Sequence, residues 1–222
     1  MIPKTIHCFW AGGPKTKLAE RCRASWRTHA PDWEIREWGL SDFPDLPDFC
    51  REAVRRKCWA MVSDWVRFRV LYDQGGVYLD FDQELVRGLD SLPDGEWCAG
   101  ERTPSGECGF ASGAGLALEP KSEIAKAMLD HYATAAFNGK TTVGAIMGEM
   151  ASARGLRLLD PEVMSPIDNE GRMHRTDRTV GIHWYAMSWA SPGRKAIQWM
   201  SWHGMQPLIN FLLGIKRTFV RR

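Results

Sequence analysis

Asp80 and Asp82 stand two residues apart at the end of an apolar run, Val77-Tyr78-Leu79-Asp80-Phe81-Asp82. In an extended chain, Val77, Leu79 and Phe81 point to one side and Tyr78, Asp80 and Asp82 to the other. Two carboxylates so placed in a straight strand lie about 6–7 Å apart. Where the strand ends the backbone can bend, and the pair can then share one hard divalent cation, directly or through water. Like charges this close need such a cation or another partner. A divalent ion held by two aspartates keeps positions open for phosphate oxygens, so a diphosphate ligand is the matching chemistry. An isolated D-x-D arises by chance in many chains. Here it follows a helical segment and the Gly75-Gly76 break, and that context favours a metal site over an exposed edge with two solvated acids.

Ser63, Asp64 and Arg67 lie just upstream, and Asp64 and Arg67 share a helix face at i, i+3. Such a pair is either an ordinary surface ion pair worth a few tenths of a kcal/mol or a fixed pair offering hydrogen bonds to ligand hydroxyls. Spacing alone leaves both open. His183, between Ile182 and Trp184, is either a satisfied core histidine or a ligand. His7, inside an apolar segment, is expected to be a structural hydrogen-bonding residue. Asp168 and Glu107 are further carboxylates without an assignable role, and both are expected at the surface.

These groups need elements to hold them. Residues 5–10 read as a buried strand closed by Gly12-Gly13-Pro14. Residues 16–29 read as a helix with Leu18, Cys22 and Trp26 at four-residue spacing, and 33–38 as a second, alternating strand. A Pro/Asp loop at 41–48 precedes a helix over 49–57. Residues 59–74 give the strongest helical pattern, with Met61, Trp65, Phe68 and Tyr72 on one apolar face and Gly75 placed for a left-handed cap. Further strands are expected at 96–100, 114–118, 156–159 and 180–185, and helices at 121–137, 142–153 and in parts of 194–220. Early strands alternating with helices argue an α/β sheet with some parallel pairing. The last segment, from Met205, is expected to form an amphipathic helix with a basic end. It either docks on the core or rests on an anionic membrane surface.

Composition sets the limits. The 222 residues are 44% hydrophobic and 25% charged, which fits a globular chain and excludes disordered, collagen-like and coiled-coil classes. Lys and Arg number 29 against 27 Asp and Glu, a net charge of +2 that gives no basic signature of nucleic-acid binding. No apolar run is long enough to span a bilayer, and the N-terminus has no signal-peptide pattern. The six cysteines form no C-x-x-C pair and are expected as reduced, mostly buried thiols of a cytoplasmic protein. Eleven tryptophans are unusual, and most are expected in the core. No repeat or low-complexity linker divides the chain, so one domain over 1–203 with the segment 204–222 appended is the expected organisation.

The order IPKTIHCFWAGG at 2–13, SDWVRFRVLYDQGGVYLDFD at 63–82 and HWYAMSW at 183–189 resembles the sugar-binding-region glycosyltransferases with a DxD motif, glycosyltransferase family 32. That group includes capsular-polysaccharide transferases and fungal outer-chain mannosyltransferases. The patterns IHxxWxGG and SDxxRxxxLxxxGGxYxDxD also resemble the catalytic domain of the large bacterial glucosylating toxins. The resemblance implies a single Rossmann-like α/β domain of GT-A fold with a mixed central sheet. It implies a nucleotide-sugar donor, a glycan or lipid-linked acceptor, and Mn²⁺ or Mg²⁺ as cofactor. By the same resemblance Phe9 and Trp10 would meet the donor base, and Asp64 and Arg67 the sugar hydroxyls. Tyr78 would support the donor, and Asp80 would contact sugar or metal-bound water. Asp82 and His183 would ligate the metal with Asp80, and Ser188 and Trp189 would close over the phosphates. Asp64, Arg67 and Asp80 would carry the chemistry of a transfer that retains anomeric configuration. Residues 108–120 and 141–150 fall where such enzymes shape the acceptor pocket, and neither matches residue by residue.

Two other readings are weaker. A phosphohydrolase of the haloacid-dehalogenase type needs D-x-D-x-T/V on an N-terminal strand, whereas DFDQEL lies mid-chain and lacks the Thr or Val. A nucleotide-sugar or carbohydrate-binding module without activity would not need Asp64, Arg67, Asp80 and Asp82 all intact.

Overall fold

The computed structural model describes residues 1–103, 106–137 and 143–186, together with 196, 199, 200 and 205. In chain order the elements are β1 (Thr5–Phe9), α1 (Lys17–His29), β2 (Glu34–Trp38), α2 (Asp48–Arg55), α3 (Trp59–Gln74), β3 (Gly76–Tyr78) and β4 (Gln83–Leu85). There follow β5 (Trp97–Cys98), β6 (Gly100–Arg102), β7 (Cys108–Phe110), β8 (Leu116–Leu118), α4 (Glu123–Thr134), α5 (Val143–Ser152), β9 (Arg157–Leu158), α6 (Pro161–Met164) and β10 (Gly181–His183). The central sheet runs β2-β1-β3-β8-β5-β9. β1 is parallel to β2 and β3, β8 is antiparallel to β3 and β5, and β9 is parallel to β5, so the sheet is mixed.

The sequence explains this layout locally. β1 is buried along Ile6–Phe9, as a central strand must be, while β2 is an edge with Glu34, Arg36 and Glu37 exposed. α1 starts where the Thr16 hydroxyl accepts from the Ala19 N–H, a side-chain N-cap. The alternation in 77–82 sorts residues between two core layers. Val77, Leu79 and Phe81 join Trp26 and Trp97 on one face of the sheet, and Tyr78 joins Phe68, Leu71 and Met128 on the other.

Some expectations shift. α3 is not one-sided: Val62, Val66, Arg67, Val70 and Leu71 are buried along with Trp65 and Phe68, because α2, α4 and the sheet surround it. Gly75 has φ +65° and ψ −167°, a conformation reserved for glycine but not the left-handed cap. A Cβ on Gly75 would lie 2.6 Å from Pro120 Cδ, and one on Gly76 (φ +105°) 2.6 Å from the Thr5 carbonyl. Of the described tryptophans only Trp26, Trp65 and Trp97 are buried; Trp199 is exposed and the others are half-buried, many with the indole N–H hydrogen-bonded at the surface. The cysteines are all free thiols, four buried, with Cys58 half-buried and Cys108 exposed. Among the described residues no helix is long and apolar enough to cross a membrane. The expected C-terminal helix lies outside the described residues.

His7 is the structural hydrogen-bonding residue expected of it. It is fully buried, donates from Nε2 to the Gly75 carbonyl at 2.9 Å, and accepts from Trp38 Nε1 at Nδ1 at 3.1 Å. Protonating Nδ1 would set one N–H against another. Burial, against the pull of the Gly75 carbonyl, lowers its pKa to about 4. The unfolded chain binds that proton near pH 6.5. Between about 6.5 and 4 the unfolded state therefore holds more protons, and stability falls as pH falls. Wild type is expected to lose roughly 3 kcal/mol over this range relative to His7→Gln, which keeps a donor and an acceptor but does not titrate. Urea unfolding of both proteins at pH 7 and pH 4 measures the difference. Parallel pH profiles would show that His7 is not held neutral.

Candidate active site

The site lies where β3 ends. The strand stops at Tyr78, and Asp80 and Asp82 sit in the bend leading into β4, not within a strand. The bend is fixed by Asp80 N–H to the Gly113 carbonyl at 2.8 Å and by Gln83 N–H to the Asp80 carbonyl at 2.9 Å. It frees the two carboxylates from the strand repeat, so they can converge.

α3 contributes Arg67, whose side chain is 2% exposed. Its Nη1 donates to Asp64 Oδ1 at 3.0 Å and to Ser112 Oγ at 2.6 Å, and its Nη2 reaches Asp80 Oδ1 at 3.3 Å. The guanidinium lies 4.9 Å from the Tyr78 ring centre, and Tyr78 Oη is 2.8 Å from Ser63 Oγ. The Asp64–Arg67 pair is thus no ordinary surface pair. It is a buried clamp that also holds Asp80. Burial pushes the Asp64 carboxyl up to about 6, with the Arg67 charge pulling the other way. Of the sequence-derived candidates, Tyr78 is fully buried and backs Arg67. Trp10 is half-buried, edge-on to Phe81 with ring centres 5.1 Å apart, and donates from Nε1 to the Gly13 carbonyl. Phe9 is packed into the core against Phe43, which leaves its ring little surface for a ligand.

β10 brings in His183 from 101 residues away. It pairs antiparallel with β4, setting His183 opposite Gln83. Trp184 N–H donates to the Asp82 carbonyl at 3.0 Å, and Ala186 N–H to Asp82 Oδ2 at 2.8 Å. His183 Nε2 then lies 3.2 Å from Asp82 Oδ1. Burial alone would raise the Asp82 pKa, but the His183 ring and the Ala186 N–H hold it below the usual carboxylate range. Burial alone would lower that of His183, but Asp82, Asp80 and Glu101 raise it.

Asp80, Asp82 and His183 each present a ligand atom within 4.8 Å of the other two. Two carboxylates and one imidazole suit a divalent cation that accepts oxygen and nitrogen. The donor set therefore fits an ion of this class. Ser188 and Trp189 lie outside the described residues.

Sequence reading missed three contributors. Ser112 and Gly113, in the turn before β8, pack directly on Arg67 and Asp80; a Cβ on Gly113 would lie 2.1 Å from Asp80 Oδ2. The small-residue run Ala111-Ser112-Gly113-Ala114-Gly115 was a usable sign of close backbone approach. Glu101, in β6, accepts from the Tyr185 hydroxyl at 3.3 Å beside His183. Asp168 is a correction: it is buried, accepting from the N–H groups of Glu170 and Arg172, from Arg172 Nε and from the His174 ring. That network ties a loop together and serves the fold. Glu107 is exposed, as expected.

Residues 17–98 match the family model described as a glycosyltransferase sugar-binding region containing a DXD motif. Among solved structures the chain is similar to the PaToxG glycosyltransferase, at 19% identity and TM-score 0.52 over 69% of this chain and 70% of that one. It is also similar to a glycosyltransferase involved in the glycosylation of the major capsid of PBCV-1, at 15% identity and TM-score 0.53 over 88% and 98%. No curated protein matches. The structural likeness is one of fold, and it agrees with the mixed sheet described above. Residues 17–98 thus match a DXD-containing glycosyltransferase sugar-binding region, and the chain shares the GT-A-type fold of those solved glycosyltransferases.

Proposed function

We propose that the chain moves a sugar from a nucleotide-diphosphate-sugar to a glycan or lipid-linked acceptor, with Mn²⁺ or Mg²⁺ at Asp80, Asp82 and His183. The observation that carries this reading is the convergence of those three ligand groups beside the buried Arg67 clamp. A divalent ion there would act as a Lewis acid on the departing diphosphate. Arg67 holds Asp64 and Asp80 in fixed positions, from which their carboxylates can accept further hydrogen bonds from sugar hydroxyls. Trp10 offers a half-buried indole to the base.

Both aspartates near the sugar are tied to Arg67, which suits them to hydroxyl recognition and makes them poor nucleophiles. That disfavours a covalent glycosyl-enzyme intermediate, and retention of configuration is carried by the resemblance to retaining families alone. The acceptor oxygen bonds to the anomeric carbon from the leaving-group face as the carbon–oxygen bond to the diphosphate breaks. The acceptor proton passes to the departing diphosphate oxygen. Assembly of a polysaccharide or lipopolysaccharide at the inner membrane face, with segment 204–222 on anionic lipid, belongs to the same proposal.

The test is a panel of nucleotide-sugars incubated with the protein and Mn²⁺, reading released nucleoside diphosphate. One donor is expected to turn over slowly without acceptor and to stop turning over in EDTA. Donor binding with no release, whatever the acceptor, would favour a binding module instead.

A further inference from the structure

His183 faces Asp82 through Nε2, and its other ring nitrogen, Nδ1, is buried without a hydrogen-bond partner. A buried polar group left without a partner forfeits the hydrogen bonds it would make in water. A histidine that gives one nitrogen to a metal generally donates its other N–H to a carboxylate or carbonyl, which fixes its orientation. The surroundings of His183 contain a carboxylate for that role. Tyr185 lays its ring on His183, with centres 4.3 Å apart, and its hydroxyl donates to Glu101 Oε2 at 3.3 Å. One side chain therefore touches both the histidine and the acid.

Tyr185 does so from a left-handed backbone, φ +46°, which is unfavourable for a bulky residue. Such a conformation persists where the surroundings over-determine it, and such positions cluster at functional sites. Glu101 projects from β6, held by its antiparallel pairing with β7. Burial raises the Glu101 pKa while the charge of His183 opposes the rise, which puts the two groups within electrostatic reach.

We propose that Glu101 is a positioning residue for His183: its carboxylate accepts the Nδ1–H of His183 when Nε2 binds a divalent ion, and Tyr185 braces the two. This rests on the metal reading given above. Glu101 touches neither the ion nor the sugar, and it acts only by fixing the ring and strengthening Nε2 as a ligand.

Mn²⁺ binding, followed by the electron paramagnetic resonance signal of the free ion, tests this in wild type, Asp82→Asn, Glu101→Ala, Glu101→Gln and His183→Asn, and in the double variant Glu101→Ala/His183→Asn. Glu101→Ala is expected to weaken Mn²⁺ binding about 10–100-fold, with little change in the metal-free melting temperature. Glu101→Gln, which keeps an acceptor oxygen, is expected to recover part of the loss. In the His183→Asn background, Glu101→Ala is expected to change the affinity less than threefold, because its effect runs through the ring. Wild-type affinity in Glu101→Ala, or an equal loss in both backgrounds, would overturn the inference while leaving the metal site intact. If wild type binds no Mn²⁺, or Asp82→Asn binds as tightly as wild type, the metal reading fails and this inference fails with it.

Discussion

Alanine at Gly113 is expected to lower kcat/KM by about 100-fold while the melting temperature moves by only a few degrees. The new Cβ would lie 2.1 Å from Asp80 Oδ2 and 2.9 Å from Asp80 Cγ, closer than real atoms approach. The backbone at Gly113 is not in the left-handed region, so alanine can adopt it. The Gly113 carbonyl is also tied to the Asp80 N–H, so the two backbones cannot simply separate. What gives way is the carboxylate, which is about a third exposed and can turn toward solvent. It then leaves Arg67 and the ligand cluster. Displacing a positioning group by about 1 Å can cost a hundredfold in rate. Steady-state kinetics and a melting curve on Gly113→Ala measure both halves. Wild-type turnover would show that Asp80 is not needed where the structure puts it.

Arg67→Met is expected to destabilise the fold by about 3–5 kcal/mol and to abolish donor binding together. The reason is geometric. One guanidinium with 2% exposure serves Asp64, Asp80 and Ser112, and its loss leaves two partly buried carboxylates without a cation. Arg67→Lys keeps a charge but has no planar fork to span both acids. It should retain part of the stability and still lose most of the donor affinity. Chemical unfolding with a calorimetric titration of the donor separates the two effects. Near-wild-type stability and donor affinity in Arg67→Lys would contradict the clamp.

The scaffold was legible where contacts are local. The 3.6-residue pattern of 59–74 and the Gly75-Gly76 break placed α3 and the start of β3, and the alternation in 77–82 sorted the two core layers. The acidic pair was readable because two carboxylates after an apolar strand are hard to explain otherwise. The status of Asp64–Arg67 was not. Spacing shows that the pair share a face but not that Tyr78 closes over Arg67 or that Ser112, 45 residues on, takes one of its hydrogens. Glu101 sits in a three-residue strand whose pattern is that of an exposed turn, and only the β6–β7 pairing turns it inward. His183 came from resemblance, since its partner Asp82 is 101 residues away. Asp168 looked like a surface acid because the donors that bury it arise from a loop without periodicity. For Arg67, Glu101 and His183 the missing information was a non-local pairing, and for Asp168 it was the conformation of a non-periodic loop.

The central claim is that this chain holds a nucleoside diphosphate through a divalent ion at Asp80, Asp82 and His183. Isothermal titration of UDP and of GDP into the metal-free protein, with and without Mn²⁺, tests it most directly. The account predicts that one of the two binds once per chain only when Mn²⁺ is present, and that Asp82→Asn removes this binding while its melting temperature stays close to wild type. Equal affinity in Mn²⁺ and in EDTA, or unchanged Mn²⁺-dependent binding by Asp82→Asn, would contradict it.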